Sequence, residues 1–422
     1  MKAFQYGFRV LAIAALVVTM FGSVAYADIL RGPYLQRVDT ESTTVLWETY
    51  TDEACTLEYG ADESFGYTQE AGTEIMHVSI IEGLQPATSY SYRIVCGEYT
   101  SKTYTFKTAP VIGTPFRFVV YGDTRSGYDA HMKVVDIIED ADPDVYLNTG
   151  DIVGSDEDVD GWQKHFEIEA NLMATRQLMV AVGNHETNNG KAPTYEKYYV
   201  EQLTEETERG PEGRYYYVDY SNVRIVVLDS EMSSLFPGGS QVDWLLDVLD
   251  DAEQDVNIRH VFLSLHQGPF SAKPSRSGYI AIRMLLDSLE DYNITAVLSG
   301  HDHHYWRGTS SAGLPFIVTG GGGAGLYECE PDGAFEVVTV ESFKDYHAVI
   351  MDVEGDIITV TTKDDKGEVR DSFTFTSTMP GEPEYPVDPV PSDSDGGCSG
   401  TSAAGAMLAT MLLLALRRRR EH

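Results

Sequence analysis

The sequence predicts a multidomain chain, an all-β sandwich over residues 28–110 followed by an α/β domain over residues 111–378. Two observations carry this. Before Pro110 the apolar residues come in short runs separated by turn residues, at the spacing of a sandwich. After it, apolar strand runs alternate with helical stretches. The length of 422 residues exceeds one average domain, and 42% hydrophobic residues are enough for sizeable cores.

In the first domain the expected strands are 43–48, 55–59, 77–81, 91–96 and 103–107. The stretch Leu84 to Arg93 resembles the corner of a fibronectin type III domain. That resemblance implies that Tyr90 bonds back to the backbone and that Trp47 is the core aromatic. In the second domain strands are expected at 116–121, 145–148, 178–182, 215–220, 223–228, 260–265 and 294–298. Helices are expected near 129–139, 162–175, 241–251 and 279–291.

Both ends of the chain lie outside these domains. Lys2 and Arg9 precede the apolar run Val10 to Phe21, and Ala25-Tyr26-Ala27 precedes Asp28, so residues 1–27 read as a secretory signal. Residues 379–400, rich in proline and acidic residues, read as a disordered linker. Residues 401–422 hold a short apolar run and then Arg417 to Arg420. They resemble bacterial C-terminal sorting tails and predict a short anchor in the cell envelope membrane, with everything before the arginine cluster outside the cytoplasm. The four cysteines allow three full connectivities. With Cys398 in the tail, Cys55 and Cys96 are the expected pair and Cys329 a free, buried thiol. In a fibronectin-like topology the strands of Cys55 and Cys96 are antiparallel neighbours.

The formal net charge of −36 argues against nucleic acid and anionic membrane surfaces as partners. It also raises the local cation concentration. Five successive strand ends then offer groups that bind cations. The first ends in Gly122-Asp123-Thr124-Arg125, the next in Gly150-Asp151, the third in Gly183-Asn184-His185-Glu186, the fourth in His266 and the last in Gly300-His301-Asp302-His303. Ligands collect at the carboxyl ends of strands in such sheets. In the first three turns a glycine directly precedes the oxygen ligand, which is expected to let the backbone bend towards an ion. His301 and His303 at i and i+2 point to one side of an extended chain. Gly320 to Gly323 is not followed by a phosphate-binding helix and reads as a tight turn near the site. His131 and His304 read as solvated.

This order of motifs resembles that of the calcineurin-like metallophosphoesterases, and the fibronectin-like front adds a resemblance to the purple acid phosphatases. The match extends over about Phe116 to Asp371. It implies two packed mixed sheets flanked by helices, and two divalent or trivalent ions (Fe, Zn or Mn). Asp123, Asp151 and His303 would hold the first ion, and Asp151, Asn184, His266 and His301 the second. It further implies hydrolysis of a small phosphate ester by a metal-bridging hydroxide, acting as an acid-phosphatase-like phosphomonoesterase. A phosphodiesterase or nucleotidase on the same scaffold, or a non-catalytic surface-binding protein, are the alternatives. His185 resembles the histidine that protonates the leaving oxygen, with Glu186 as its orienting partner, and Arg125 is placed to clamp the phosphate. Tyr305 and Arg307 follow the family pattern and would shape the rim. Two positions depart from the pattern: Arg125 where many relatives carry histidine, and Gly154 where purple acid phosphatases carry tyrosine.

Overall fold

The computed structural model describes residues 29–200, 210, 214–274, 276–331 and 337–379. The expected signal and anchor, and the linker beyond Met379, lie outside the described residues. Among the described residues no helix is long and apolar enough to cross a membrane.

Eight strands form the front of the molecule: β1 (Ile29–Gln36), β2 (Ser42–Thr49), β3 (Cys55–Gly60), β4 (Tyr67–Glu70), β5 (Met76–Glu82), β6 (Ser89–Cys96), β7 (Tyr99–Thr100) and β8 (Tyr104–Lys107). Alternation sets the buried face. In β6, Tyr90, Tyr92, Ile94 and Cys96 point inward and join Trp47, Leu57 and Phe106 in one core. The Tyr90 hydroxyl accepts a hydrogen bond from the Gln85 backbone N–H at 3.0 Å, which closes the corner. Cys55 and Cys96 stand directly opposite each other on β3 and β6 and form a disulfide. Cys329 is a free thiol, only half-buried.

The sandwich does not stand apart from the domain behind it. Its β1–β2–β5 sheet continues into the α/β domain through β1, whose Leu35 pairs in parallel with Gln177. The Val38 N–H donates to Gln177 Oε1 at 2.8 Å, and the Tyr92 hydroxyl to the Ala174 carbonyl at 2.7 Å. Residue 110 thus marks a change of sequence pattern, while the hydrogen bonding runs across it.

The second domain continues with β9 (Phe116–Tyr121), α1 (Tyr128–Ala141), β10 (Val145–Asn148), α2 (Val159–Ile168), α3 (Ala170–Met173), β11 (Gln177–Val180) and the single turn α4 (Pro193–Tyr195). After these come β12 (Tyr216–Tyr220), β13 (Val223–Val227), α5 (Ser240–Gln254), β14 (His260–Gln267), α6 (Ile280–Leu289) and β15 (Ile294–Gly300). The chain closes with β16 (Tyr305–Ser310), β17 (Pro315–Thr319), β18 (Val337–Phe343), β19 (His347–Glu354), β20 (Ile357–Asp364) and β21 (Val369–Thr376). One nine-stranded sheet runs β21-β20-β19-β9-β10-β11-β1-β2-β5, and a seven-stranded sheet runs β12-β13-β14-β15-β17-β16-β18. The two pack face to face, with Phe118 of one edge-on to Phe262 of the other at 5.5 Å.

Helices cover the outer faces for a sequence reason. Val134, Ile138 and Ala141 of α1 lie on one stripe, as do Val242, Leu245, Leu249 and Ala252 of α5. Helix α1 stops at Asp142, left-handed at φ 49°, just before Pro143. The helix expected over 162–175 is instead broken into α2 and α3 at Glu169, whose side chain turns inward.

Candidate metal centre

Two parallel strand sets meet at one rim. β9, β10 and β11 run parallel in the first sheet, and β13, β14, β15 and β17 in the second. Their carboxyl ends face the same cleft, which is why residues nearly 180 positions apart converge: the His301 N–H donates to Asp123 Oδ2 at 2.8 Å across a sequence separation of 178. The result is two three-residue groups with ligand atoms mutually within 4.8 Å, Asp123–Asp151–His303 and Asp151–His266–His301, joined by Asp151. Asn184 Oδ1 sits 3.2 Å from His266 Nε2 and adds an oxygen to the second group. The six sequence-selected ligand residues thus lie together.

The backbone bends at the ligands themselves. Asp123, Asp151 and His301 have φ of 59°, 58° and 68°, a conformation that costs a non-glycine residue energy and concentrates at functional sites. The glycines ahead of them serve mostly a different purpose from the one expected. Gly150 is left-handed at φ 102°, but Gly122, Gly183 and Gly300 are not. They are needed because a Cβ there would overlap Thr149 Oγ1, the Asp151 amide and Asp123 Oδ2, respectively. The Gly320–Gly323 run packs on the same turn: the Gly322 N–H donates to the Gly122 carbonyl at 2.8 Å, and the Ala324 N–H to that of Asp123.

Two of the three ligand imidazoles are aimed by their second nitrogen. His266 Nδ1 donates to the Thr149 carbonyl at 3.0 Å and His303 Nδ1 to that of Gly325 at 2.7 Å, leaving both Nε2 atoms turned into the cleft. The ring of Tyr327 stacks on His303 with centroids 4.0 Å apart, and the Lys273 ammonium lies 3.4 Å from the Tyr327 ring. Asp302, between the two histidines, is buried and ties the ligand turn to Ser271 and Arg276. Sequence reasoning missed Tyr327, Lys273 and Asp302. Only the place of Asp302 inside the His-x-His motif hinted at a role.

The donor set fits cations. Asp123 Oδ1 is buried without a hydrogen-bond partner and faces His303 Nε2 at 3.3 Å, an arrangement that a positive ion satisfies. Burial opposes charge on Asp151, yet the neighbouring His266 and His185 hold its carboxyl well below the usual range. The same burial works against protonating His266, but Asp151 and Asp123 push it up to about 10. His301 is pushed down to about 2 by burial and by His266 beside it. The proton on His266 is one that a bound metal ion displaces.

The remaining expected residues are placed differently. His185 is partly exposed; its Nδ1 donates to the Gly154 carbonyl at 2.7 Å, which leaves Nε2 3.8 Å from Asp151 Oδ2. Glu186 does not orient it. The Glu186 carboxylate is buried and accepts the backbone N–H groups of Asp151, Val153 and Gly183 at 2.9, 3.0 and 2.8 Å, so it fastens two ligand turns together. Burial and the Asp151 charge push its carboxyl up to about 7. Arg125 donates through Nε to Asp151 Oδ2 at 3.2 Å. His131 and His304 are not solvated but buried, at 1% and 0% exposure. Tyr305 and Arg307 form no rim; both bond to Asp371 and tie β16 to β21.

The calcineurin-like phosphoesterase family matches residues 116–305, and the purple acid phosphatase N-terminal domain matches residues 33–108. The chain therefore carries a calcineurin-like phosphoesterase domain behind a purple acid phosphatase N-terminal domain. An uncharacterized protein of Mycobacterium tuberculosis is 26% identical over 261 residues, 54% of this chain and 49% of that one. Purple acid phosphatase 21 of Arabidopsis thaliana is 29% identical over 256 residues, 59% of this chain and 56% of its own length. The chain spans about half the length of the curated relatives it matches. Among solved structures, a purple acid phosphatase from yellow lupin (Lupinus luteus) seeds superposes with a TM-score of 0.70 at 17% identity, covering 82% of this chain and 74% of that one. A structure described as PhoD gives a TM-score of 0.62 at 15% identity, over 84% and 91% of the respective chains. Both show the shared fold.

Proposed function

We propose that the chain is an exported, metal-dependent phosphoesterase that hydrolyses small phosphate esters, monoesters foremost. The observation that carries this reading is the pair of donor groups joined through Asp151. Two ions bound there would supply Lewis acidity and a water of lowered pKa. Asp123, Asp151 and His303 would hold one ion, and Asp151, Asn184, His266 and His301 the other. Arg125 spends its Nε on Asp151, and its remaining N–H groups clamp a phosphoryl oxygen. With Nδ1 fixed on the Gly154 carbonyl, protonated His185 carries its second proton on Nε2 and releases it to the leaving oxygen. Glu186 keeps the Asp151 and Gly183 turns at fixed separation.

Export and attachment at the cell envelope rest on the sequence of the two termini. The Cys55–Cys96 disulfide supports them, since such bonds persist in oxidising compartments. The test of the activity is a panel of phosphate mono- and diesters with Fe, Zn or Mn added back to the stripped protein. Metal-dependent monoester hydrolysis is expected. A folded protein that binds two ions and turns over no ester would overturn the reading.

The two ions are expected to leave unequally. The first group offers three protein ligands, and Arg125 sits on Asp151 Oδ2, the oxygen not facing His266. The second group gains Asn184. Titrating chelator while counting bound metal should show one ion leaving first and activity leaving with it. Simultaneous loss, or first loss from the Asn184 group, would contradict this order.

A further inference from the structure

Behind the metal centre lies a buried polar cluster that the proposed chemistry does not use. Its hub is Glu169, the residue that breaks the expected helix into α2 and α3, with 0% exposure. The Tyr121 hydroxyl donates to Glu169 Oε1 at 2.6 Å, and His131 Nε2 lies 2.8 Å from the same oxygen. The Tyr146 hydroxyl donates to Oε2 at 3.3 Å, and His165 Nδ1 is 3.4 Å from Oε1. His165 in turn meets the Tyr199 hydroxyl through Nε2 at 2.5 Å. A buried carboxylate is costly unless its partners are good. Here burial opposes the charge, but His165 and His131 keep the carboxyl well below the usual range.

The partners are what matter. Tyr121 is the last residue of β9, two positions before Asp123. Tyr146 lies in β10, whose end leads into Asp151. His131 lies in α1, the helix entered from the Asp123–Arg125 turn. Glu169 therefore grips three of the elements that flank the Asp123 and Asp151 turns. The Tyr121 and Tyr146 rings also stack, with centroids 6.1 Å apart. An apolar residue would fill this space at lower desolvation cost. What it would lack is the directional hold on β9 and β10 and a negative charge behind turns that bind cations.

We propose that Glu169 is a positioning residue of the metal centre: it holds the end of β9 against β10 and α1, hence Asp123 relative to Asp151, and so sets how tightly divalent cations are held. This rests on the metal-centre reading above. The test uses the full chain with Glu169→Gln, which keeps the shape but removes the charge and one acceptor oxygen. Mn2+ binding to the chelator-stripped protein is measured by calorimetry well below the melting temperature, with circular dichroism as the check of fold. The expected result is affinity lowered by about tenfold or more with unchanged stoichiometry, and with kcat restored at saturating Mn2+. Tyr121→Phe, which removes a single hydroxyl, should shift affinity in the same direction by a smaller factor. A hub that only stabilised the fold would lower the melting temperature and leave affinity untouched.

A folded Glu169→Gln protein with wild-type Mn2+ affinity overturns the proposal. If that variant does not fold, Tyr121→Phe and Tyr146→Phe decide, and wild-type affinity in both overturns it equally. Failure of the unsubstituted chain to bind Mn2+, Fe or Zn would instead be failure of the metal-centre reading. The control titration separates the two.

Discussion

Replacing Asp151 with alanine abolishes phosphate-ester turnover, a loss expected to be roughly 10³-fold or more. Asp151 is the one side chain common to both donor groups. Its Oδ1 accepts the His185 N–H at 3.0 Å and lies 3.2 Å from His266 Nε2, while Oδ2 accepts from Arg125. Truncation removes a ligand from each ion and leaves Arg125 and His266 without their counter-charge. The fold should survive, because Glu186 bonds the Asp151 backbone N–H, which alanine retains. Alanine pays about 1 kcal/mol for the left-handed φ of 58° at this position. Asp151→Asn separates the effects, since asparagine tolerates that conformation, keeps an acceptor oxygen and lacks the charge. Turnover, bound-metal count and circular dichroism on both variants make the check. A folded Asn variant that keeps more than a tenth of the activity would remove the shared-ligand arrangement.

The parts of this site that were legible in the sequence share one property: their signal is local. Phe116–Tyr121 and Val145–Asn148 are apolar runs cut off by glycine and aspartate, and the structure places both strands at those bounds. The six ligand residues could be picked out because they lie at or just after five strand ends. What depended on distant partners was hidden. β1, with Gly32 and Pro33, is not among the strands expected from the sequence, yet it bridges the sandwich to the second domain through Gln177. His131 and His304 look like surface residues until Glu169 and the neighbouring strands bury them. The adjacency of His185 and Glu186 suggested a side-chain pair, but the turn sends Glu186 back to three amides of the ligand loops. The glycines were correctly marked as necessary, but mainly for freedom at φ. At three of them the need is steric, set by atoms from other turns that local sequence does not contain.

Removing the Cys55–Cys96 disulfide should cost about 4 kcal/mol of stability, from the loop-closure entropy of a separation of 41 residues. Both cysteines are buried, at 1% and 0% exposure, so the replacement matters. Serine would add a buried hydroxyl in need of a partner, worth a further ~1–3 kcal/mol where none is found. The Cys55→Ala, Cys96→Ala double variant isolates the cross-link. The loss should not stay in the sandwich, because β1, β2 and β5 belong to the same nine-stranded sheet as β9, β10 and β11. Arg31 and Gln36 of β1 also bond Tyr198, at 2.7 and 2.6 Å, which stitches the front to the second domain. Urea unfolding followed by tryptophan fluorescence and by circular dichroism should therefore give one coincident transition, moved to lower urea in the double variant. Turnover at low temperature should be unchanged, since both cysteines pack in the core of the front sandwich and neither belongs to the donor groups. Two separate transitions would show that the shared sheet does not couple the halves, and a shift worth less than about 1 kcal/mol would show that the bond contributes little to holding the front of the molecule.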